Sequence, residues 1–217
     1  MLMAEARRRL SPDDRRNELL ALGAEVFGQR PYDEVRIDEI AERAGVSRAL
    51  MYHYFPDKRA FFAAVVRAES ERLFDATNTP AQPGQTLFTQ VRAGVLAYLR
   101  YDELHPHGAW AAYMGMSRSD PVLRGIDDHD NDRQANRIID RVTAGVEPLD
   151  AKVERDLRAA VYGWLAFTFE MCRQRLMDAS LDADYLGDLC AHALMDALAR
   201  VPGIPADLAE AVAPDRR

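Results

Sequence analysis

The side chains best suited to chemistry lie in the run IDEIAERAGVSRALMYHYFP, from Ile37 to Pro56. If Ile40, Ala44, Val46, Met51 and Phe55 form its apolar side, then Ser47, Arg48, Leu50, Tyr52 and His53 face outward. A hydroxyl, a guanidinium, a phenol and an imidazole on one small surface suit hydrogen bonding and charge pairing with base edges and phosphates. Covalent chemistry has no counterpart in the chain, which lacks GxSxG, P-loop, HExxH and dinucleotide-glycine patterns. The expectation is recognition and not turnover: no enzyme, no catalytic residue and no cofactor.

Such a surface needs two short helices to hold it. The small Ala41 lets two helices cross closely. Gly45, four residues later, suits the tight turn between them, where a side chain at positive φ would clash. This is the grammar of a helix-turn-helix that places one helix in a groove of double-stranded DNA. The formal net charge of -7 argues against a chain that is basic all over. Location matters more than the total, since screening confines exposed charges to roughly 8–10 Å at physiological salt. From Arg43 to Lys58 the only acidic residue is Asp57, and the excess acid lies elsewhere, notably at Asp127–Asp132.

The elements around this head are all expected to be helical, with no strand-like alternation. Ser11-Pro12-Asp13-Asp14 opens a helix that buries Leu19, Leu20, Leu22, Ala24, Val26 and Phe27 and ends near Arg30-Pro31. Asp57 caps another, which runs to a break at residues 79–84. Further helices are expected over 85–104, stopped by His105-Pro106-His107; over 109–116; from Asp120; over 131–142; and over 151–178 and 182–200. The division is a DNA-binding domain at 11–57, a helical domain at 58–201 and a flexible C-terminal tail at 202–217. No segment is long and apolar enough to span a bilayer. The start has no apolar core of a secretory signal, so a cytoplasmic protein is expected.

The region Arg15–Val66 resembles the TetR (tetracycline-repressor-like) family of transcriptional regulators. The resemblance rests on NELLALGAEVFGQRPYDEVRIDEIAERAGVS followed by RALMYHYFPDKRAFFAAV, with Pro31-Tyr32 where the family usually has Gly-Tyr. It implies an all-α homodimer: an N-terminal three-helix helix-turn-helix domain, then a C-terminal helical domain for ligand binding and dimerisation. By position in the matched motif, Ser47, Arg48, Tyr52 and His53 read the groove and Tyr54 and Lys58 clamp phosphates. Arg36 and Ile37 touch the flanking backbone. The implied function is a ligand-responsive repressor on a palindromic operator, released by a small apolar or aromatic effector. Two alternatives stay open: a regulator without effector, and an enzyme using the C-terminal pocket.

Candidates for that pocket are Tyr98, Trp110, Tyr113, Met114, Trp164, Phe167, Thr168 and Met171, with Glu170 and Arg173 as polar anchors. Each can equally be ordinary core or surface. The last two helices are expected to pair with those of a second copy, and Leu194→Glu to split that pair. His105, His107 and His129 with Asp127, Asp128 and Asp130 show no ligand-type spacing, so no metal is expected. Arg7-Arg8-Arg9 is either a minor-groove arm or a solvated terminus. Cys172 and Cys190 read as buried, inert thiols in preference to a redox pair.

Overall fold

The computed structural model describes residues 11–78, 80–114 and 120–213, apart from the side chains of Ala111, Ala112 and Met114. The Arg7–Arg9 arm and the Met114 side chain lie outside the described residues. Among the described residues ten α-helices and one 3-10 turn make up the regular structure, so the fold is all-α. They are α1 (Pro12–Gln29), α2 (Ile37–Ala44), α3 (Arg48–Tyr54), α4 (Lys58–Ala76), α5 (Leu87–Leu104), α6 (Pro106–Met114), α7 (Pro121–Val142), α8 (Ala151–Met177), α9 (Ala183–Ala199) and α10 (Ala206–Ala211). The 3-10 turn is Tyr32–Glu34. Among the described residues no helix is long and apolar enough to cross a membrane.

Most helix starts follow from short polar side chains that satisfy otherwise orphaned N–H groups. Ser11 accepts from Asp14 N at 3.0 Å, Ser47 from Leu50 N at 3.1 Å, and Asp57 from Ala60 N at 2.7 Å. Thr86, Asp120, Asp150 and Asp182 cap α5, α7, α8 and α9 in the same way.

Packing divides the chain into two compact units. The first runs through Glu69 and includes α6 from His107; the second holds Ser70–Pro106 and residues from 117 onward. The expected boundary near Lys58 is therefore moved, because α4 gives Phe61, Phe62, Val65 and Val66 to the core of the first unit. Within that unit Phe27, Phe61 and Phe62 form an aromatic cluster with centroids 4.7–5.8 Å apart. Two glycines let α6 approach: a Cβ on Gly28 would strike the His107 backbone, and one on Gly108 the Glu69 carboxylate.

In the second unit α8 packs on α5, α7 and α9, and α9 also packs on α5. Leu157, Val161, Cys190, Leu194 and Leu198 are fully enclosed, each apolar side chain contributing about 1.5–3 kcal/mol by burial. Leu194 is 0% exposed. It is core of its own chain, and Leu194→Glu would unfold the unit instead of splitting a pair.

Three further expectations are corrected. α5 ends at Leu104 as expected, but the next helix starts at Pro106 and not at 109, with the proline at the first helical position, where its missing N–H costs nothing. Residues 121–142 form one helix, with the acidic run inside it and not at a helix end. Asp128, His129 and Asp132 point outward while Ile126, Ala135 and Ile139 point in, and Asp130 is half-buried and accepts from the Ser70 hydroxyl. The segment expected as a flexible tail contains α10, held by the buried Leu208 and Val212 at i,i+4 spacing.

Gly45 adopts φ 63°, ψ 37° at the end of α2, where its N–H bonds the carbonyls of Ala41 and Glu42. Left-handed geometry penalises a Cβ. Gly45→Ala should lower unfolding free energy by about 1–2 kcal/mol in urea titration, with helical circular dichroism retained.

Candidate nucleic-acid interface and ligand cavity

The outward face of α3 is set by what lies beneath it. Met51 and Phe55 are enclosed, and the Phe55 ring packs on Phe61 at 4.7 Å. Ile40, Ala41 and Ala44 of α2 complete the floor. With those positions inward, Ser47, Arg48, Tyr52 and His53 are exposed. Ile37 is buried, so its side chain joins the core; the expectation that it meets a flanking backbone is corrected for the side chain. Arg36 is exposed immediately before α2.

The cations of this face have internal contacts in the free chain. Arg48, its side chain 69% exposed, lies with Nε 3.1 Å from Asp38 Oδ1 and its guanidinium 5.5 Å from the Tyr52 ring centroid. The approach lacks hydrogen-bond geometry, leaving Asp38 Oδ1 sealed from solvent without a hydrogen-bond donor. The window from Arg43 to Lys58 therefore understated local acid, because α2 supplies Asp38 from outside it. Lys58 donates from Nζ to the Asp33 carbonyl at 3.3 Å and sits 4.4 Å from the Tyr32 centroid. Tyr54 is half-buried and donates to the Pro12 carbonyl at 3.3 Å, tying α3 to the first turn of α1. The His53 ring stands edge-on to Tyr54 at 5.6 Å.

The second unit contains a cavity of about 40 Å³ between α5, α7 and α8, with Thr77, just beyond α4, at its edge. Its apolar wall is Val91, Val95, Ile138, Trp164, Leu165 and Phe169; its polar wall is Thr77, Gln90, Tyr98, Gln134, Arg137, Arg141 and Thr168. Drug-sized ligands occupy roughly 300–1,000 Å³, so such a molecule must part these walls. Trp164 is fixed by an Nε1–H bond to the Cys190 carbonyl at 2.7 Å. Arg137 donates to the Phe74 carbonyl and to Thr77 Oγ1, both at 3.0 Å, and to Gln134 Oε1. Burial, reinforced by Arg141 and Arg133, pulls its pKa down to about 10.

Of the expected pocket residues, Tyr98, Trp164 and Thr168 line this cavity, while Phe167 and Met171 do not. Trp110 and Tyr113 belong to α6 and the first unit. Glu170 and Arg173 pair with each other at 2.7 and 2.9 Å and stay outside the wall. Sequence reasoning missed Arg137 and Arg141. Their signal was the four-residue spacing of Arg133, Arg137 and Arg141, which puts three guanidinium groups along one face of α7. His105 rests on Tyr101, His107 lies beside Gln29, and His129 is exposed.

A short helix seated on a three-helix core, with a polar and cationic outer face, defines the helix-turn-helix class of regulatory protein. Residues 19–65 match the family model "Bacterial regulatory proteins, tetR family", which identifies that region as the family's. The family is one of regulators and not of enzymes. The chain is 33% identical over 100 residues to the HTH-type transcriptional activator FasR of Mycolicibacterium smegmatis, covering 46% of each. It is 28% identical over 116 residues to the HTH-type transcriptional regulator EthR of the same species, covering 51% of this chain and 52% of EthR. The chain spans about half the length of these curated relatives. A tetR-family regulator from Streptomyces coelicolor superposes with a TM-score of 0.76 at 23% identity, covering 94% of this chain and 88% of that one, a likeness of fold.

Both cysteines are buried, and burial raises each thiol above its ordinary 9.0, Cys172 well above. Thiolate, the reactive form, is therefore scarcer in the folded chain than in the unfolded one. Native protein at pH 8 should react with a thiol reagent at least ~10-fold more slowly than the urea-unfolded chain, measured by absorbance of the released chromophore.

Proposed function

We propose that this chain is a ligand-responsive transcriptional regulator that binds a palindromic DNA operator as a homodimer. In this reading it represses until a small apolar or aromatic effector enters the second-unit cavity and the operator is released. The observation that carries the reading is the outward display of Arg48, Tyr52 and His53 on a helix anchored by Met51 and Phe55. Arg48 leaves Asp38 to fork onto a guanine edge or hold a phosphate. Ser47, having accepted the Leu50 N–H, still has its hydroxyl hydrogen for a phosphate oxygen. Tyr52 and His53 meet bases or backbone. Lys58, Tyr54 and Arg36 complete the phosphate contacts that set register. Ile37 contributes no side-chain contact.

The dimer is assigned to the outer faces of α8 and α9. Gly163, Ala166 and Met177 are exposed along α8, and Tyr185 is 58% exposed on α9. A twofold pairing of these faces would present two copies of α3 to a twofold operator. FasR is named an activator, so operator position relative to the promoter sets the sign of regulation; transcription in vitro with and without the protein decides it.

Two measurements test this reading. Operator fragments selected from genomic DNA should bind the wild-type chain, and the double variant Arg48→Ala, Tyr52→Phe should bind ~5-fold to ~150-fold more weakly, the equivalent of ~1–3 kcal/mol. Asp38→Asn removes a carboxylate competing for Arg48 and should tighten binding several-fold at the same salt. Unchanged affinity in the double variant overturns the assigned face. For the interface, Ala166→Glu should halve the mass seen in sedimentation while keeping the helical spectrum; an unchanged mass overturns it.

A further inference from the structure

The second-unit cavity has a mostly apolar wall with one guanidinium whose charge is left unbalanced. Arg137 bonds only neutral groups: the Phe74 carbonyl, Thr77 Oγ1 and Gln134 Oε1. Its Nε is sealed from solvent without a hydrogen-bond partner. Among the described residues no carboxylate bonds it or lies within ion-pair distance. The side chain is half-buried, and charges drawn even partly out of water are ordinarily paired, because desolvation is costly. A face-on contact with Phe74, 4.5 Å from the ring centroid, offsets only part of that cost.

The surroundings sharpen the imbalance. The Phe74 carbonyl belongs to the last turn of α4, whose dipole offers roughly half a negative charge against a full positive one. The neighbours along α7 are Arg133 and Arg141, of the same sign. Two acids on this side are engaged with Arg133: Glu71 lies 2.6 Å and Asp130 3.9 Å from it. A pKa lowered to about 10 still leaves Arg137 cationic at pH 7. On α8 the Thr168 hydroxyl, also in the cavity wall, is buried with no hydrogen bond of normal geometry, although the Cys190 thiol lies close by.

We propose that the effector is a monocarboxylate with an apolar or aromatic body, its carboxylate paired with Arg137 and hydrogen-bonded by Thr168. The assignment rests on the reading of this cavity as the effector site. A planar carboxylate accepts from the bare Nε–H and from the hydroxyl, while Val91, Val95, Trp164 and Leu165 cover its body. A neutral isostere leaves the guanidinium unbalanced. An ammonium group adds repulsion. Inorganic phosphate and acetate lack the body that the apolar wall covers.

The test is calorimetric titration of the intact chain with 3-phenylpropanoate and decanoate, the matching amides and amines, acetate and inorganic phosphate. A carboxylate with a body should bind one per chain at least ~10-fold tighter than its amide, with the amines, acetate and phosphate failing to compete. Arg137→Gln should bring carboxylate and amide to within about twofold, and Arg137→Lys should restore part of the preference. Arg137 also closes the end of α4, so folding is checked by circular dichroism. Thr168→Val supplies a second variant, expected to keep stability and to weaken the carboxylate alone. Equal binding of amide and carboxylate, or a preference surviving both Arg137→Gln and Thr168→Val, overturns the anion assignment while the cavity stands as a ligand site. Binding by none of the probes overturns the cavity reading itself.

Discussion

The seating of α3 is the constraint on which the rest of the first unit depends. A seven-residue helix has no useful stability alone, because nucleation consumes more conformational freedom than so few hydrogen bonds return. It persists because Met51 and Phe55 are enclosed, Ser47 satisfies its first turn, and Tyr54 is tied to α1. The left-handed Gly45 brings the chain out of α2 at the angle this seating needs. The exposed side chains inherit their positions from a core they do not touch. Their precision is borrowed from Phe27, Phe61 and Phe62.

Charge is handled in opposite ways in the two units. Arg48 is largely in water, and its contact with Asp38 is of the surface kind, worth about 0–1 kcal/mol. Giving it up for another anion therefore costs little. Arg137 is half-buried with its Nε sealed from solvent, bonded to carbonyl, hydroxyl and amide, and flanked by like charge. There the surrounding protein supplies partial charges where a full counter-charge is missing. One arrangement suits a cation that must change partners; the other suits a cation that waits for one.

Helix starts were legible in the sequence because a cap acts within four residues. Ser11, Asp57, Asp120 and Asp182 each announce their helices locally, and the structure places the caps there. Orientation was legible for α3, where the alternation of Met51 and Phe55 with polar neighbours leaves one choice. It was not legible for Ile37 or Leu194, since an apolar residue at helical spacing says that something covers it and not what. Pro106 reads equally as a stop and as a first residue; Gly28 and Gly108, far apart in sequence, decide by admitting α6 against α1 and Glu69. The cavity was half legible. Trp164, Thr168 and Tyr98 stand out by type, whereas Arg137 looks like any solvated arginine until α4 and α8 close over it.

The enclosure of Leu186, Leu194 and Leu198 within a single chain separates folding from assembly. The inner face of α9 is satisfied before any second copy arrives, so a newly made chain need not find its twin in order to persist. Copy number can then be low without loss of folded protein. If copies pair through the outer faces as proposed, scarcity, which would dismantle an obligate oligomer, would leave folded protomers able to pair again as their concentration rises.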